Sequence, residues 1–161
     1  IITMLKNRDR KYREASHAGS WYSEKADVLD NQLTKWLSEV ECRSDSQSTR
    51  LIVAPHAGYS YSAPTAAVAY KQLMLNKSSI KTVFILGPSH FYRLKGCDLS
   101  QFDYCKTPIG DLKVNTDVNM NLIKMSKLFS YADPRKDEEE HSIEMHLPFV
   151  AKIFEGIDIT V

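Results

Sequence analysis

Two histidines follow a pair of predicted strands at the point where each strand ends. His56 comes after the apolar run at residues 51–54, and His90 comes after the run at residues 81–86. Neighbouring parallel strands lie about 4.8 Å apart, and ligands bind outside their carboxyl ends in open α/β sheets. Two imidazoles there can converge on one metal ion at about 2.1 Å each. The pattern predicts a metal or active-site pair; the alternative is two loop histidines that only bond to nearby carbonyls.

Two histidines do not complete a mononuclear iron or zinc centre, because such centres take three protein ligands. Cys97 and Cys105 lack any metal-binding spacing and are typical of small buried hydrophobes. We therefore expect the third ligand outside this chain. The chain begins without methionine, and residues 157–161 alternate like a strand with no turn signal after it. We interpret the sequence as the front portion of a longer protein.

A second polar cluster lies at residues 140–146, with the sequence EHSIEMH. On one continuous helix His141 and His146 lie about 140° apart around the axis, so they face one ion only if the helix begins between them. Ser142 can cap a helix here, which would leave His141 and Glu144 near its N-terminal end and pointing toward a cleft. The cluster is open to two interpretations: polar residues that line a pocket, or polar residues with a structural role.

The elements that must position these side chains alternate between helices and short apolar strands, which predicts an α/β sandwich with a mostly parallel central sheet. Residues 51–86 have the order strand, helix, strand, so a right-handed crossover should join two parallel strands. Four helices are predicted: one from a cap at Ser23 to Val40, one that begins at Ser62, one over 117–129 and one over 142–154. Weaker strands are predicted near 97–99 and 111–114, on either side of a turn at 107–110.

Composition limits the function classes. The 161 residues have the length of one domain, which we divide into a basic, disordered tail at 1–12 and a domain at 13–161. With 21 basic and 20 acidic side chains the net charge is +1, so nothing favours nucleic acid. No apolar run is long enough to span a bilayer. Three cysteines without a CxxC pair favour a reducing intracellular compartment.

Five motifs occur in one order along the chain: REASHAGSWY at 13–22, APHAGYSY at 54–61, ILGPSH at 85–90, TPIGDL at 107–112 and EHSIEMHLPF at 140–149. Together they resemble the Memo family, the mediators of ErbB-driven cell motility. The resemblance runs from about residue 13 to residue 161 and covers the front half or so of a typical member. Phe91 departs from close animal relatives, which have a second histidine there, and this change alters the pocket rim.

The resemblance implies a fold similar to class III extradiol dioxygenases, which are non-haem iron enzymes. It implies that His56 and His90 are two ligands of the pocket where the dioxygenase iron sits, with a cysteine from the back half as the third. It also associates Trp21 with this pocket and with peptide binding. We place further motif residues at the pocket or the peptide-binding surface: His17, Tyr59, Tyr61, Ser89, His141 and Glu144.

The function that the resemblance implies is a cytoplasmic signalling effector, with a nuclear pool left open. It would relay receptor tyrosine kinase signals to cell motility and the cytoskeleton. Its partners would be phosphotyrosine-bearing receptor tails and signalling adaptors, and its cofactor iron or copper. The alternative is a metal-dependent redox enzyme, either extradiol dioxygenase-like or a copper-dependent oxidase, although a cysteine in place of the glutamate ligand disfavours the dioxygenase reaction. A third interpretation is a non-functional fragment with an exposed sheet edge.

Overall fold

The chain contains both helices and short strands in the computed structural model, which describes residues 9–43 and 45–161. The mixture of helices and parallel strand pairs is an α/β fold, as the sequence predicts. The helices are α1 (Ala26–Ser38), α2 (Tyr59–Lys71), α3 (Thr116–Met125), α4 (Pro134–Glu139), α5 (His141–Glu144) and α6 (Leu147–Ile153). The strands are β1 (Tyr12–Arg13), β2 (Cys97–Leu99), β3 (Tyr104–Cys105), β4 (Leu112–Lys113) and β5 (Phe129–Tyr131).

The strands form two small sheets rather than one large central sheet. In the first sheet β3 lies between β1, with which it is parallel, and β4, with which it is antiparallel. In the second sheet β2 pairs with β5 in parallel. Thr160 adds single parallel bridges to Thr82 and to Lys113. Parallel pairing therefore predominates, as predicted, although each sheet holds only two or three strands.

The strands predicted at 51–54 and 81–86 are wrong as assigned secondary structure. Within the described residues 51–54 have no strand partner, and 81–86 make only the bridge at Thr82. A strand requires a ladder of hydrogen bonds to a neighbour, and an apolar run cannot supply that neighbour. Residues 51–54 and 83–86 nevertheless alternate between covered and exposed side chains. The predicted parallel βαβ unit therefore has its helix, α2, but not its paired strands.

The first predicted helix is confirmed as α1, which buries the stripe Leu29, Leu33 and Leu37. Its N-cap is Lys25 rather than Ser23; the Lys25 N–H donates to the Ser23 hydroxyl oxygen at 3.2 Å. Ser23 therefore supports the turn before the helix instead of capping it. The helix packs on α2 and α6, and this three-helix contact is the core behind the histidines.

The second helix, α2, begins at Tyr59, three residues before the predicted start at Ser62. Pro64 consequently lies inside the helix rather than in its first turn. The side chains that α2 buries are mostly small, and small side chains let its backbone approach its neighbours closely. They are Ala63, Ala66 and Ala67, with Tyr59, Ser62 and Tyr70.

The C-terminal part of the chain contains more elements than the sequence analysis predicts. The additional element is α4, which Asp133 caps by accepting the backbone N–H groups of Arg135 and Lys136. The helix predicted at 142–154 is divided into α5 and α6, with Pro148 in the first turn of α6. The helix predicted at 117–129 ends at residue 125, and 129 belongs to β5.

The two weaker strand predictions, near 97–99 and 111–114, are confirmed, unlike those at 51–54 and 81–86. The strand near 97–99 is confirmed as β2, and the strand near 111–114 as the shorter β4. The turn between them closes with a hydrogen bond from Gly110 N–H to the Thr107 carbonyl. Of the predicted tail, residues 1–8 lie outside the described part, and Tyr12 belongs to β1. Among the described residues, each helix is too short or too polar to cross a membrane.

Candidate metal centre

All five histidines of the chain gather in one place, although they lie between positions 17 and 146. The centre of the cluster is His56, whose ring centroid lies 5.3 Å from His90, 5.6 Å from His141 and 6.3 Å from His146. The ring of His17 lies 6.0 Å from that of His141. The two strand-end histidines are thus brought together as predicted.

Three of these rings offer a ligand set for a metal ion. One nitrogen each of His56, His90 and His141 lies within 4.8 Å of the others. Three nitrogens that share one ion at about 2.1 Å each lie about 3.4 to 3.6 Å apart in tetrahedral or trigonal geometry, so the rings must close by up to roughly 1.4 Å around a metal. His141 is a candidate for the third ligand within the chain, and the expectation that the third ligand lies outside the chain stays a prediction.

The position of His141 explains why the sequence analysis does not predict it as a candidate ligand. The helix there begins at His141 and ends at Glu144, and His146 lies in the break before α6. The 140° separation that keeps His141 and His146 apart on one helix therefore does not apply. Instead, the first residue of α5 faces His90, with their ring centroids 4.1 Å apart.

Glu140 orients His90 by two hydrogen bonds. Its carboxylate accepts the His90 backbone N–H at 2.7 Å and lies 2.8 Å from the ring Nδ1. A neutral His90 that donates its Nδ1 proton to Glu140 leaves the Nε2 lone pair free, the usual arrangement of a carboxylate, a histidine and a metal. Burial opposes ionisation of Glu140, but the hydrogen bonds from His90 and Ser142 lower its pKa to about 2.

His141 is held in the neutral form that a metal ligand requires. Its side chain is mostly buried, and burial, together with the neighbouring His90, lowers its pKa. The Nδ1 atom is buried without a hydrogen-bond partner among the described residues. The indole of Trp21 covers the ring at a centroid distance of 4.4 Å. A neutral ring with an unpartnered nitrogen fits a transition metal, and imidazole suits iron, copper and zinc.

A buried ion pair anchors the helix that carries His141. The fully buried carboxylate of Glu144 accepts hydrogen bonds from Arg13 at 2.6 Å, from the Tyr22 hydroxyl at 2.8 Å and from the His17 backbone N–H at 2.8 Å. Burial opposes its ionisation, but Arg13 and His17 lower its pKa. Arg13 also donates to the carbonyls of Asp137 and Glu140. Glu144 therefore joins β1 to the end of α5, and its side chain is fully buried.

The same hydrogen-bond network around Glu144 fixes the position of the His17 ring. Its Nδ1 lies 2.9 Å from Glu144, and its ring meets Trp21 edge-on with centroids 5.6 Å apart. The Trp21 carbonyl in turn accepts the Tyr59 N–H at the start of α2. The loop of the first motif is therefore fixed at both ends against the histidine cluster.

The remaining predicted site residues lie in three different environments. Tyr59 is buried, and its hydroxyl donates to the Met145 carbonyl. The Ser89 hydroxyl donates to the Tyr92 carbonyl, which shapes the loop that carries His90. Tyr61 is among the most exposed side chains. Of these, Tyr59 and Ser89 support the cluster through hydrogen bonds from their hydroxyls.

Sequence reasoning missed a second layer behind His56. The ring of His146 accepts or donates a hydrogen bond with the Tyr70 hydroxyl at 3.0 Å, and burial with the nearby His56 lowers the pKa of His146 to about 4. Arg13 and Glu140 are also absent from the predicted site. Both residues lie inside the five motifs, so the sequence could have indicated them as candidates. Only the fold shows which charged group each one contacts.

Two shallow depressions border the cluster. One has a volume of about 580 Å³ and is lined by Trp21, residues 53–57 and His141, so His56 and His141 face it directly. The other has a volume of about 440 Å³ and is lined by Ser16, His17, Phe91, Arg135, Glu138 and Glu139. The histidine cluster therefore has an open side that a ligand can reach.

A family profile described as "Memo-like protein" matches residues 13–160. The chain belongs to the Memo family. A Caenorhabditis elegans relative, "Protein memo-1 homolog", is 48% identical over 141 residues. "Protein MEMO1" of Rattus norvegicus is 47% identical over 144 residues, and the Xenopus laevis protein of the same name is 48% identical over 144.

These Memo relatives are considerably longer than this chain. The alignments cover 88% to 89% of the chain, but 39% of the C. elegans protein and 47% of the rat and frog proteins. The chain thus spans less than half the length of the Memo relatives that it matches. The five motifs of the sequence analysis lie within the region that the family profile covers, and the predicted resemblance is confirmed as membership.

Proposed function

We propose that this Memo chain binds one transition metal ion, iron or copper, through His56, His90 and His141, within a protein that acts in receptor tyrosine kinase signalling. The observation that carries the metal site is the approach of three imidazole nitrogens to within 4.8 Å of one another. Glu140 supports it by orienting one ring, and the lowered pKa of His141 supports it by favouring the neutral ligand. The choice of iron or copper rests on the family's likeness to non-haem iron enzymes.

Metal binding is tested by anaerobic equilibrium dialysis of the chain against Fe²⁺, Cu⁺ and Zn²⁺ in separate experiments. We expect one ion per chain, and loss of that ion in His56→Ala and His90→Ala. His17→Ala is the matched control, because His17 belongs to the cluster but not to the donor set. Circular dichroism confirms that each variant is folded. Equal losses in the His17 and His90 variants, or no bound ion in the unaltered chain, would contradict the site.

The signalling part of the proposal rests on family membership and on the second depression. Phe91 and Arg135 lie on its rim with exposed side chains. An aromatic ring beside a guanidinium is suited to the ring and phosphate of a phosphotyrosine. The partners are receptor tails and adaptors that carry this group, and the compartment is the cytoplasm, in keeping with three free cysteines.

Peptide binding is tested by titrating a fluorescent phosphotyrosine peptide and its unphosphorylated twin against the chain. We expect tighter binding of the phosphorylated peptide, and loss of that difference in Arg135→Ala. Arg43→Ala is the control, because Arg43 is another exposed arginine, and it pairs with Asp45 rather than lining the depression. Equal affinities for the two peptides would remove phosphotyrosine from the proposal while leaving the metal site untouched.

The second candidate is a metal-dependent redox enzyme. It is favoured by the open side of the cluster, because three protein ligands leave coordination positions for substrate or oxygen. When bound, iron or copper supplies the electron transfer to oxygen, while the depression beside His56 and Trp21 holds an aromatic substrate. Oxygen uptake by the metal-loaded chain with a catechol tests this candidate. A rate that matches the His56→Ala variant would exclude it.

A further inference from the structure

The loop that carries His90 is attached to the rest of the chain along one side only. Among the described residues, no backbone–backbone hydrogen bond involves residues 88–95, which we call the His90 loop. The hydrogen bonds between this loop and the rest of the described chain all involve side chains of residues 139–142. A segment without a backbone ladder opens at a low free-energy cost. These side-chain contacts therefore hold the loop in place.

Tyr92 provides the outermost of these contacts, two residues after His90. Its hydroxyl donates a hydrogen bond to the Glu139 carboxylate, and the Lys136 ammonium lies 4.3 Å from the centre of its ring, which is the geometry of a cation–π contact. The Ser89 hydroxyl donates to the Tyr92 carbonyl at 2.6 Å, and this bond links Tyr92 to the start of the loop. A change at the Tyr92 hydroxyl therefore acts on the segment that carries His90.

The Tyr92 hydroxyl lies where an enzyme can reach it. Its hydrogen bond to Glu139 lies at the surface, and residues 93–96 beside it are exposed. Tyr61 and Tyr131 are 86% and 46% exposed, but they lie in α2 and β5. Backbone hydrogen bonds of those elements would have to break before either side chain could enter an enzyme's cleft. The His90 loop has no such bonds to lose.

We propose that Tyr92 is a phosphorylation site, and that a phosphate on Tyr92 releases the His90 loop. The phosphate comes from ATP through a protein tyrosine kinase. The bond between the γ-phosphorus and the bridging oxygen to the β-phosphate breaks, and a new bond joins the γ-phosphorus to the Tyr92 oxygen. ADP leaves, and the phenolic proton passes to the general base of the kinase.

The phosphate converts the contact between Tyr92 and Glu139 from attraction to repulsion. Tyr92 loses the proton that it donates to Glu139, and the phosphate carries a charge of about −1.5 to −2 at pH 7. Two anions at hydrogen-bonding distance repel each other, so the two side chains must separate. Lys136 contacts the Tyr92 ring rather than its hydroxyl, so an ion pair with the phosphate would replace the cation–π contact and not preserve it.

The effect on metal binding rests on the proposed metal site, whereas the release of the loop does not. His90 is a proposed ligand, and Glu140 orients it through the backbone N–H and the ring. A loop that separates from Glu139 also loosens the contact with the adjacent Glu140. The metal affinity of the phosphorylated chain should therefore be lower by roughly tenfold or more, the loss typical of an outer-shell partner.

Phosphorylation is tested by incubating the chain with ATP, Mg²⁺ and a recombinant tyrosine kinase domain, and by locating the phosphate by mass spectrometry. We expect one phosphate per chain, at Tyr92, and its loss in Tyr92→Phe. Tyr131→Phe is the matched control and should be phosphorylated as the unaltered chain is. No incorporation, or incorporation at Tyr61 or Tyr131 in place of Tyr92, would overturn the site.

Release of the loop is measured on the metal-free chain by hydrogen exchange of the His90 amide, which donates to Glu140 at 2.7 Å. Phosphorylation should speed this exchange by roughly tenfold or more. The Cys97 amide is the internal control, because it donates to the Leu128 carbonyl and should exchange at an unchanged rate. Unchanged exchange at His90 would overturn the release. Slower exchange would also overturn it, because it would show that Lys136 and the phosphate tighten the loop.

A charge-reversal pair tests the release without a kinase. Tyr92→Glu places a carboxylate opposite Glu139 and should speed exchange of the His90 amide, and Glu139→Lys in the same chain should restore the original rate, because the two charges then attract. Equal rates in the single and double variants would overturn the role of repulsion. A chain that binds no metal but exchanges faster at His90 when phosphorylated would refute the metal site and support the release.

Discussion

The ring of His90 stacks on the ring of His141, with their centroids 4.1 Å apart and their planes inclined by 29°. Two imidazolium charges at this distance would repel each other, and the proximity of His90 contributes to the lowered pKa of His141. The stack is therefore most stable when at least one ring is neutral. Neutral imidazole is also the form that binds metals, so the packing prepares the two rings for a shared ion.

If His141 is the third ligand, His141→Ala should reduce the metal affinity of the chain by about 100-fold or more, beyond the 10–100-fold loss typical of an outer-shell partner. The reason is that two imidazoles alone leave the ion without the three protein ligands of a stable centre. The measurement is competition with a chromophoric chelator at pH 7.5. An affinity within threefold of that of the unaltered chain (roughly 0.7 kcal/mol) would show that His141 is not the third ligand and that this ligand comes from outside the chain.

Glu140→Gln should weaken metal binding by about 10–100-fold, the range found for outer-shell partners of ligating histidines. The amide keeps the size of the side chain but removes the charge that holds the Nδ1 proton of His90. The control is Glu155→Gln, which neutralises an exposed acid that pairs with Lys152 on the far end of α6. Equal affinities for the two variants would show that Glu140 does not act through His90.

The sequence correctly predicts that His56 and His90 lie side by side, even though the strands before them do not pair. Residues 51–54 and 83–86 keep the alternating exposure of strands, and His56 and His90 follow them at one edge. The apolar pattern defines which side chains are covered. It does not define which segment supplies the hydrogen bonds, because pairing is a property of two segments and the pattern belongs to one.

His141 and Glu144 show what the sequence pattern does not predict, namely which distant residues a side chain contacts. The prediction places both at a pocket; His141 does face the depression beside His56, whereas Glu144 is fully buried against Arg13. Which charge meets which depends on contacts 131 positions apart in the chain, and no local spacing encodes such a contact. The break between α5 and α6 falls at Met145 and His146, and the only local sign of it is Pro148 two residues further on.

The Arg13–Glu144 pair predicts a large effect on stability. Arg13→Ala should lower the free energy of unfolding by about 3–5 kcal/mol, because it leaves the buried Glu144 carboxylate without its countercharge. Urea denaturation followed by circular dichroism measures the change. The double variant Arg13→Met with Glu144→Leu should recover much of the loss, since it removes both charges.

Arg43→Ala is the matched control for Arg13→Ala, because the Arg43–Asp45 pair is exposed on both sides. Exposed pairs contribute little to stability, so its denaturation midpoint should equal that of the unaltered chain. If the two arginine variants unfold at the same urea concentration, the buried ion pair does not anchor α5 in the way that its hydrogen bonds indicate.

His146 should make the metal-free chain less stable as the pH falls from about 6.5 to 4. Burial lowers its folded-state pKa to about 4 from the ordinary 6.5. Between these two pH values the unfolded chain binds a proton that the folded chain does not. The free energy of unfolding therefore decreases as the pH is lowered. The full effect is on the order of 3 kcal/mol, and it is complete once the pH lies below both values. Urea denaturation with a chelator present, at several pH values, measures this slope. His146→Gln should flatten the slope over this interval, whatever its effect at pH 7, because glutamine has no proton to gain. A slope that the substitution leaves unchanged would assign the pH dependence to other groups in the cluster.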